Sequence, residues 1–437
     1  MRRLRSFIAL AGAVVLPGSG FAETYYVSGA GSDSATGLTQ ATAFRTLQTA
    51  ANLTKPGDTV MVMSGTYTPA GKGYDVLDIT TSGTARAWIT YRAMPGQHPV
   101  VDFTNGWTGI QVDAAYIVID GLEVGGGASK VTLAYAKSQA KNLSNYLTSA
   151  NGIVVDNFIN GFLPHHVIIE NNIVHDAPGA GIATCYADYI TIQHNETYRN
   201  AFWSPYANSG ISIWEMRDSD TYTGYKNLIL DNVSHDNEEF IPFYEAGTIT
   251  DGNGIIVDDN KNSQSNNVAY GGRTYVANNI VYRNGGSGIH TYSSQHVDIV
   301  NNTAWMNNHS PAINEGQIFA NSAGDVTILN NIGVAPSGKY FTSSYNNATS
   351  VLSDYNLDYS GTPTAGRAGA PLGPHDRVAA PAFVDAAGLN FHLTAASPAI
   401  DTGTKTLAPK TDFDGNPRPY GKAYDRGAYE WQGKTAP

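Results

Sequence analysis

The 437-residue chain carries 26 Lys and Arg against 37 Asp and Glu, a formal net charge of −11, which argues against the clustered basic surface that nucleic-acid binding requires. A single cysteine, Cys185, excludes an internal disulfide, so stability must come from packing and backbone hydrogen bonds. After the first residues no run approaches the roughly 20 apolar residues of a membrane helix.

Residues 1–22 read as a secretory signal peptide, with Arg2, Arg3 and Arg5 as the charged start, an apolar run from Phe7 to Leu16, and Gly20 and Ala22 before the cut. A secreted or periplasmic protein without a membrane anchor is expected. Removing that stretch takes away three arginines and no acid, leaving an even more acidic body. An anionic partner would then need a bound divalent cation or a local basic cleft to offset the repulsion.

Residues 23–335 form the repetitive body. Its opening, Thr24 to about Thr104, reads as first coils plus a cap, with PGDTVMVMSGTY as turn, strand and turn. A strand ending in asparagine then recurs at Val167, Ile190, Leu228, Tyr275, Val297 and Val326. The asparagines 172, 195, 232, 279, 302 and 331 are 23, 37, 47, 23 and 29 residues apart. A period of about 23 is one coil, and the longer gaps are coils with loop insertions at 200–209, 216–226, 237–252 and 258–272. The strands are short, β-branched and alternating. Asparagine suits such a stack in two ways: it tolerates the left-handed conformation of a tight corner, and stacked asparagines can form an amide ladder.

Between these strands lies a second recurrent type: NGIVVDN at Asn151, AGIATCY at Ala180, SGISIWE at Ser209, NGIIVDD at Asn253 and SGIHTYS at Ser287. The pattern predicts an all-β, right-handed, single-stranded parallel β-helix, a monomer, closed by last coils and an irregular segment over 336–437.

Aligning the second strand type on its glycine points Ile153, Ile182, Ile211, Ile255 and Ile289 inward, with Val155, Thr184, Ile213, Val257 and Thr291. Outward stand Val154, Ala183, Ser212, Ile256 and His290, then Asp156, Cys185, Trp214, Asp258 and Tyr292. The strand ends add Tyr186, Glu215, Asp259 and Ser293. Residues about 150–315 would thus build a groove of acids, an imidazole and rings, with loop aromatics Trp203, Tyr206 and Tyr244 beside it. Rings stack on sugar faces and acids bind hydroxyls or a cation, so a polysaccharide, most simply an acidic one, is the expected partner.

Asp258 and Asp259, with Asp251, could bind Ca²⁺ or substrate. They could equally be the acid and base of an inverting glycoside hydrolase, or merely solvated acids at a strand end. Proton abstraction beside a uronate carboxyl could fall to His290, Lys261, Arg273 or Tyr292. Histidine needs the smallest pKa change, and Arg273 fits better as a clamp on the carboxylate. Trp214 and Glu215 complete the substrate-binding set.

Three stretches resemble the opening of secreted β-helix enzymes that include family 9 polysaccharide lyases: YYVSGAGSDSATG, AFRTLQTAANLTKPGDTVMVMSGTY and ITYRAMPGQHPVVD. The closing SPAIDTGTK and TDFDGNPRPYGKAYDRGAYEW resemble the end segment of bacterial β-helix proteins. The resemblance implies a pectate-lyase-like fold and β-elimination on a uronic-acid polymer. It also implies a catalytic lysine two residues after the glycine of NGIIVDD, where this chain has Ile256. An inverting glycoside hydrolase and a non-catalytic carbohydrate-binding protein remain the alternatives.

Overall fold

The computed structural model describes residues 22–159, 161–346, 348–360 and 372–433; residues 1–21, the bulk of the expected signal peptide, lie outside them. Short strands follow one another around a coil, and each pairs in parallel with its counterpart in the next coil. Two eleven-stranded sheets and one nine-stranded sheet result, joined at corners to form a parallel β-helix. One eleven-stranded sheet carries strands of up to six residues such as Asp188–Gln193. The other carries three-residue strands such as Glu196–Tyr198. The nine-stranded sheet carries the second strand type, from Leu77–Ile79 to Thr342–Asn346. The coils continue past residue 335 through Leu357–Tyr359, and the closing segment adds a two-stranded antiparallel hairpin, Phe383–Asp385 with Asn390–Leu393.

The interior is a column of β-branched side chains because alternate residues of every strand point inward. The registers Ile153 with Ile182, Ile182 with Ile211, Ile211 with Ile255 and Ile255 with Ile289 are those expected from the glycine alignment. These isoleucines, and Val155, Ile213 and Val257, are fully buried. The stack runs further than the five aligned repeats, to Ile110 on one side and Ile318 on the other. Three short α-helices, Leu47–Ala51, Leu133–Gln139 and Tyr146–Ser149, lie outside the strand pattern. Each is too short to leave an apolar period in the sequence, and each starts at a Thr or Asn whose side chain accepts a backbone N–H.

The corner asparagines form the expected ladder. Asn172 Nδ2 donates to Asn195 Oδ1, Asn195 to Asn232, Asn232 to Asn279 and Asn279 to Asn302, each at 3.0 Å. Asn302 continues to Asn331 at 3.0 Å and Asn331 to Asn356 at 3.1 Å. From Asn195 to Asn356 each Oδ1 also accepts the backbone N–H of the asparagine one coil below, and the Asn172 Oδ1 accepts the Leu122 N–H. One detail differs from expectation. The left-handed residue is the one before each ladder asparagine, at φ 57° for Asn171, 55° for His194, 54° for Asp231 and 57° for Asn278. That turn aims the following side chain inward, where the ladder lies. A second ladder, Asn200, Asn237, Asn284, Asn307 and Gln317, runs up the corner leading into the nine-stranded sheet.

Asn232 makes four such bonds to the coils on either side and is fully buried. Asn232→Ala is expected to cost about 3 kcal/mol, because buried donors and acceptors are left without partners. Asn267→Ala, in an exposed loop, should be near neutral; chemical denaturation of both variants measures the difference.

Candidate functional site

The outward side chains of the nine-stranded sheet form columns one residue wide. One is Gln111, Val154, Ala183, Ser212, Ile256, His290 and Phe319; the next runs through Cys185, Trp214, Asp258, Tyr292 and Asn321. Successive members are about 4.8 Å apart. Asp258, His290 and Tyr292 therefore share one patch of the sheet, with Trp214 one coil below, as the alternation predicts. Each strand ends in a left-handed residue: Tyr186 at φ 51°, Glu215 at 44°, Asp259 at 42° and Ser293 at 45°.

Insertions rise on both sides of this sheet. On the entry side Trp203 is buried among Ala128, Ala136 and Ile241, meets Phe202 edge to face and Phe240 at a tilt, and donates its Nε1–H to the Ala128 carbonyl at 2.8 Å. It is the core of that wall rather than a sugar platform. Tyr206 and Tyr244 meet edge to face at 5.7 Å and remain exposed on the same wall.

Four expected site residues are engaged elsewhere. Arg273 begins a strand of the neighbouring eleven-stranded sheet, not the groove sheet. Its guanidinium grips Asp298 through Nε at 2.6 Å and Nη2 at 3.0 Å, and Asp325 through Nη1 at 2.8 Å. It is saturated by carboxylates of its own sheet and is no clamp for a groove ligand. Asp259, left-handed at φ 42° just after the strand, turns into the loop that follows. Its buried carboxylate holds the Ser263 and Gln264 N–H groups at 3.0 and 2.6 Å, bracing the loop that follows. Glu215 is fully buried and accepts the Ser265 N–H at 2.8 Å in the same loop. Lys261 donates to the Ser322 carbonyl at 2.5 Å, outside the cluster around His290.

The chemistry concentrates around His290. The ring is buried against Phe319, with centroids 4.9 Å apart, and both ring nitrogens lack a hydrogen-bond partner. Burial lowers its pKa to about 3, so the imidazole is neutral at physiological pH. Glu315, in the loop preceding the Ile318–Asn321 strand, brings Oε2 to 3.7 Å from His290 Nδ1 and accepts a hydrogen bond from Ser287 Oγ at 3.0 Å. Burial, reinforced by the Asp251 charge, raises its carboxyl to about 8. Both groups are thus pushed toward neutrality, and the contact is between an imidazole and a protonated carboxyl rather than an ion pair. Asp258 is raised well above the carboxylate range by burial and by Asp251, Asp259 and Glu215, and its Oδ1 is orphaned. Glu239 and Asp251 complete the group. Burial pushes them to about 8 and about 7, and Asp251 N–H donates to Glu239 Oε2 at 3.1 Å. Orphaned buried polar atoms are rare in native proteins and mark places where a partner is missing. Here Ser212 Oγ, Asp258 Oδ1, both His290 nitrogens and Glu239 Oε1 lie on or beside one sheet.

Glu315, Glu239 and Arg217 were not among the residues expected from the sequence. Glu315 had a signal: Ile318 pairs with Ile289, so Gln317 takes the glycine's place in a sixth repeat, and NEGQIF marks a carboxyl at the corner entering that strand. Glu239 sits in a long insertion with no repeat to align it.

Calcium was expected on Asp251, Asp258 and Asp259. Among the described residues no three His, Cys, Asp or Glu side chains gather in a way that could hold a metal ion. Asp259 is consumed by its loop and Asp251 by Asn253 and Ser209. These residues do not fit an ion as placed. A cavity of about 410 Å³ lies elsewhere, lined by Tyr198, Arg199, Phe202, His235, Asp236, Glu238 and His309. Its charges are mutually paired: Arg199 with Asp176, His235 with Asp236, and His309 with Glu238. It is a salt-bridged corner without an orphaned group.

Fold and site together define a parallel β-helix with a lateral, walled strip of acids, imidazole and rings on one sheet. A family model for the right-handed β-helix region of Pel9A-like proteins matches residues 25–321, and the chain belongs to that family. The fold is similar to that of pectate lyase Pel9A, at 18% identity over 93% of this chain and 96% of that one, with a TM-score of 0.55. More distant are a rhamnogalacturonan lyase, 17% identical over 76% and 87% of the two chains with a TM-score of 0.43, and a GH136 lacto-N-biosidase from Eubacterium ramulus, 14% identical over 77% and 56% with a TM-score of 0.41. No curated protein matches.

Glu239 provides a test of the electrostatics. A carboxyl whose folded pKa is raised binds its proton more tightly when folded, so its stabilisation is present at low pH and lost as pH rises from about 4.5 to about 8. Glu239→Gln mimics the protonated form. It should leave the melting temperature unchanged below about pH 4 and raise stability by on the order of 1–3 kcal/mol at pH 8.5.

Proposed function

We propose that this protein is a polysaccharide lyase that cleaves a uronate-containing glycan by β-elimination on the nine-stranded sheet, with His290 as base. The observation that carries the reading is the neutral His290 imidazole, both nitrogens unpartnered, within 3.7 Å of a carboxyl held protonated and beside the exposed Tyr292. Family membership and the pectate lyase likeness support the substrate class.

In this reading His290 removes the proton at C5 of the uronate, and Glu315 or Tyr292 delivers a proton to the departing glycosidic oxygen. The C5–H electron pair becomes the C4–C5 double bond, and the C4–O4 bond breaks. Asp258, neutral because of burial, donates a hydrogen bond to the uronate carboxylate and so stabilises the charge that builds there. A set of protonated acids also admits an anionic sugar into an acidic protein without a cation, because the repulsion is removed at the site itself. A polymer substrate agrees with the secreted or periplasmic location expected from the sequence.

The second reading is an inverting glycoside hydrolase, for which a raised carboxyl, Asp258 or Glu315, is the protonated acid, and the carboxylate base that chemistry also needs comes from another acid of the strip. The products decide. Incubation with acidic polysaccharides should raise the ultraviolet absorbance of a conjugated unsaturated uronide, with or without EDTA. New reducing ends without absorbance would replace the lyase by the hydrolase. His290→Ala should lower kcat by about 10²–10⁴-fold. If Glu315 is the acid, the wild-type rate should fall as pH rises through about 8, where Glu315 loses its proton, and Glu315→Gln, which cannot deliver a proton, should lower kcat and show no alkaline limb near pH 8.

A further inference from the structure

Arg273 is spent on its own sheet, which leaves the question of which cation recognises an acidic sugar. We infer that Arg217 is the carboxylate-recognising residue of a distal subsite, binding a uronate unit that is not the one being cleaved. The inference deepens the lyase reading and rests on it for the orientation of the glycan.

Arg217 lies just past the corner that ends the Ile211–Trp214 strand, where its N–H bonds the Ala187 carbonyl at 3.1 Å. Its guanidinium lies over the Tyr186 ring, 4.4 Å from the centroid. Cation–π stacking of this kind fixes the plane of the fork while leaving its N–H edges free to bind a carboxylate. Those edges are underused. Nη2 reaches Glu215 Oε2 and Ser265 Oγ only at 3.4 Å each, and Nε is shielded from water with no partner. Arg199, Arg273 and Arg283 by contrast each grip a carboxylate through two bonds, the shorter at 2.6, 2.6 and 2.7 Å. Glu215 cannot tighten onto Arg217 freely, because its other oxygen is held by the Ser265 N–H. A quarter of the Arg217 side chain remains exposed.

The surroundings suit a sugar. Tyr186 meets Trp214 at 5.2 Å and Phe158 at 5.7 Å between centroids, a run of rings along the edge of the outward strip. Trp214 is paired with Asp258, which is paired with Tyr292. Arg217 and Tyr186 therefore stand two to three coils before His290, roughly 10–14 Å along the axis. That is more than one sugar unit from the reacting bond, so Arg217 would act on binding and register rather than on the chemical step.

The test is binding of short oligouronides and of their methyl esters, by calorimetry, to wild type, Arg217→Gln, Arg217→Lys and His290→Ala. Wild type and His290→Ala should both prefer the free acid over the ester. Arg217→Gln should lose that preference by about tenfold or more, and Arg217→Lys should recover part of it, since charge survives but the planar fork does not. On polymer, Arg217→Gln should raise KM with little change in kcat. A preference for the acid that is unchanged in a folded Arg217→Gln overturns the inference, as does wild type that binds acid and ester equally. The lyase reading fails separately, if wild type forms no unsaturated product whether or not Arg217 governs binding.

Discussion

The asparagine ladder is the constraint on which the rest of this molecule depends. A parallel β-helix turns sharply at every corner, and each turn leaves backbone groups pointing into a tightly packed interior where water cannot reach them. Each ladder asparagine accepts the backbone N–H and the side-chain N–H of the coil below, and donates to the coil above and to a strand carbonyl. Because every asparagine is both donor and acceptor for its neighbours, the corner repeats in register from Asn172 to Asn356. That register lets a single residue position become a column many coils long.

The columns in turn explain the site. Burying isoleucines in one row obliges the alternate row of the same strands to face outward, so Ser212, Trp214, Asp258, His290 and Tyr292 are gathered by a scaffold that makes no reference to chemistry. The insertions then alter the electrostatics of this strip. They shield the acids and the imidazole from water, which raises the carboxyls and lowers the histidine, so the strip is far less charged than its composition implies. At its edge the following loop anchors on Asp259 and Glu215, and leaves Arg217 only loosely held.

The fold was legible because the repeat is periodic: the isoleucine register, the strand ends and the asparagine corner all follow from alternation and stacking. The site was legible only as far as that alternation reaches. His290, Asp258, Tyr292 and Trp214 belong to aligned strands and lie where the pattern puts them. Asp259 and Glu215 occupy the residue after the strand, where the backbone becomes left-handed and alternation no longer says which way a side chain points. Arg273, though near the acids in sequence, lies beyond the corner on the next sheet. Glu239 and Glu315 come from insertions, whose paths depend on tertiary packing rather than on period.

Sugar chemistry on the outward strip of the nine-stranded sheet around His290 is the central proposal. A crystal structure of the His290→Ala protein soaked with an acidic oligosaccharide tests this most directly. The account places the glycan along that strip, with a ring against Trp214 and the linkage to be broken beside position 290 and Glu315. A glycan bound instead in the salt-bridged corner of Tyr198, Arg199 and His309, with the strip empty, would contradict it.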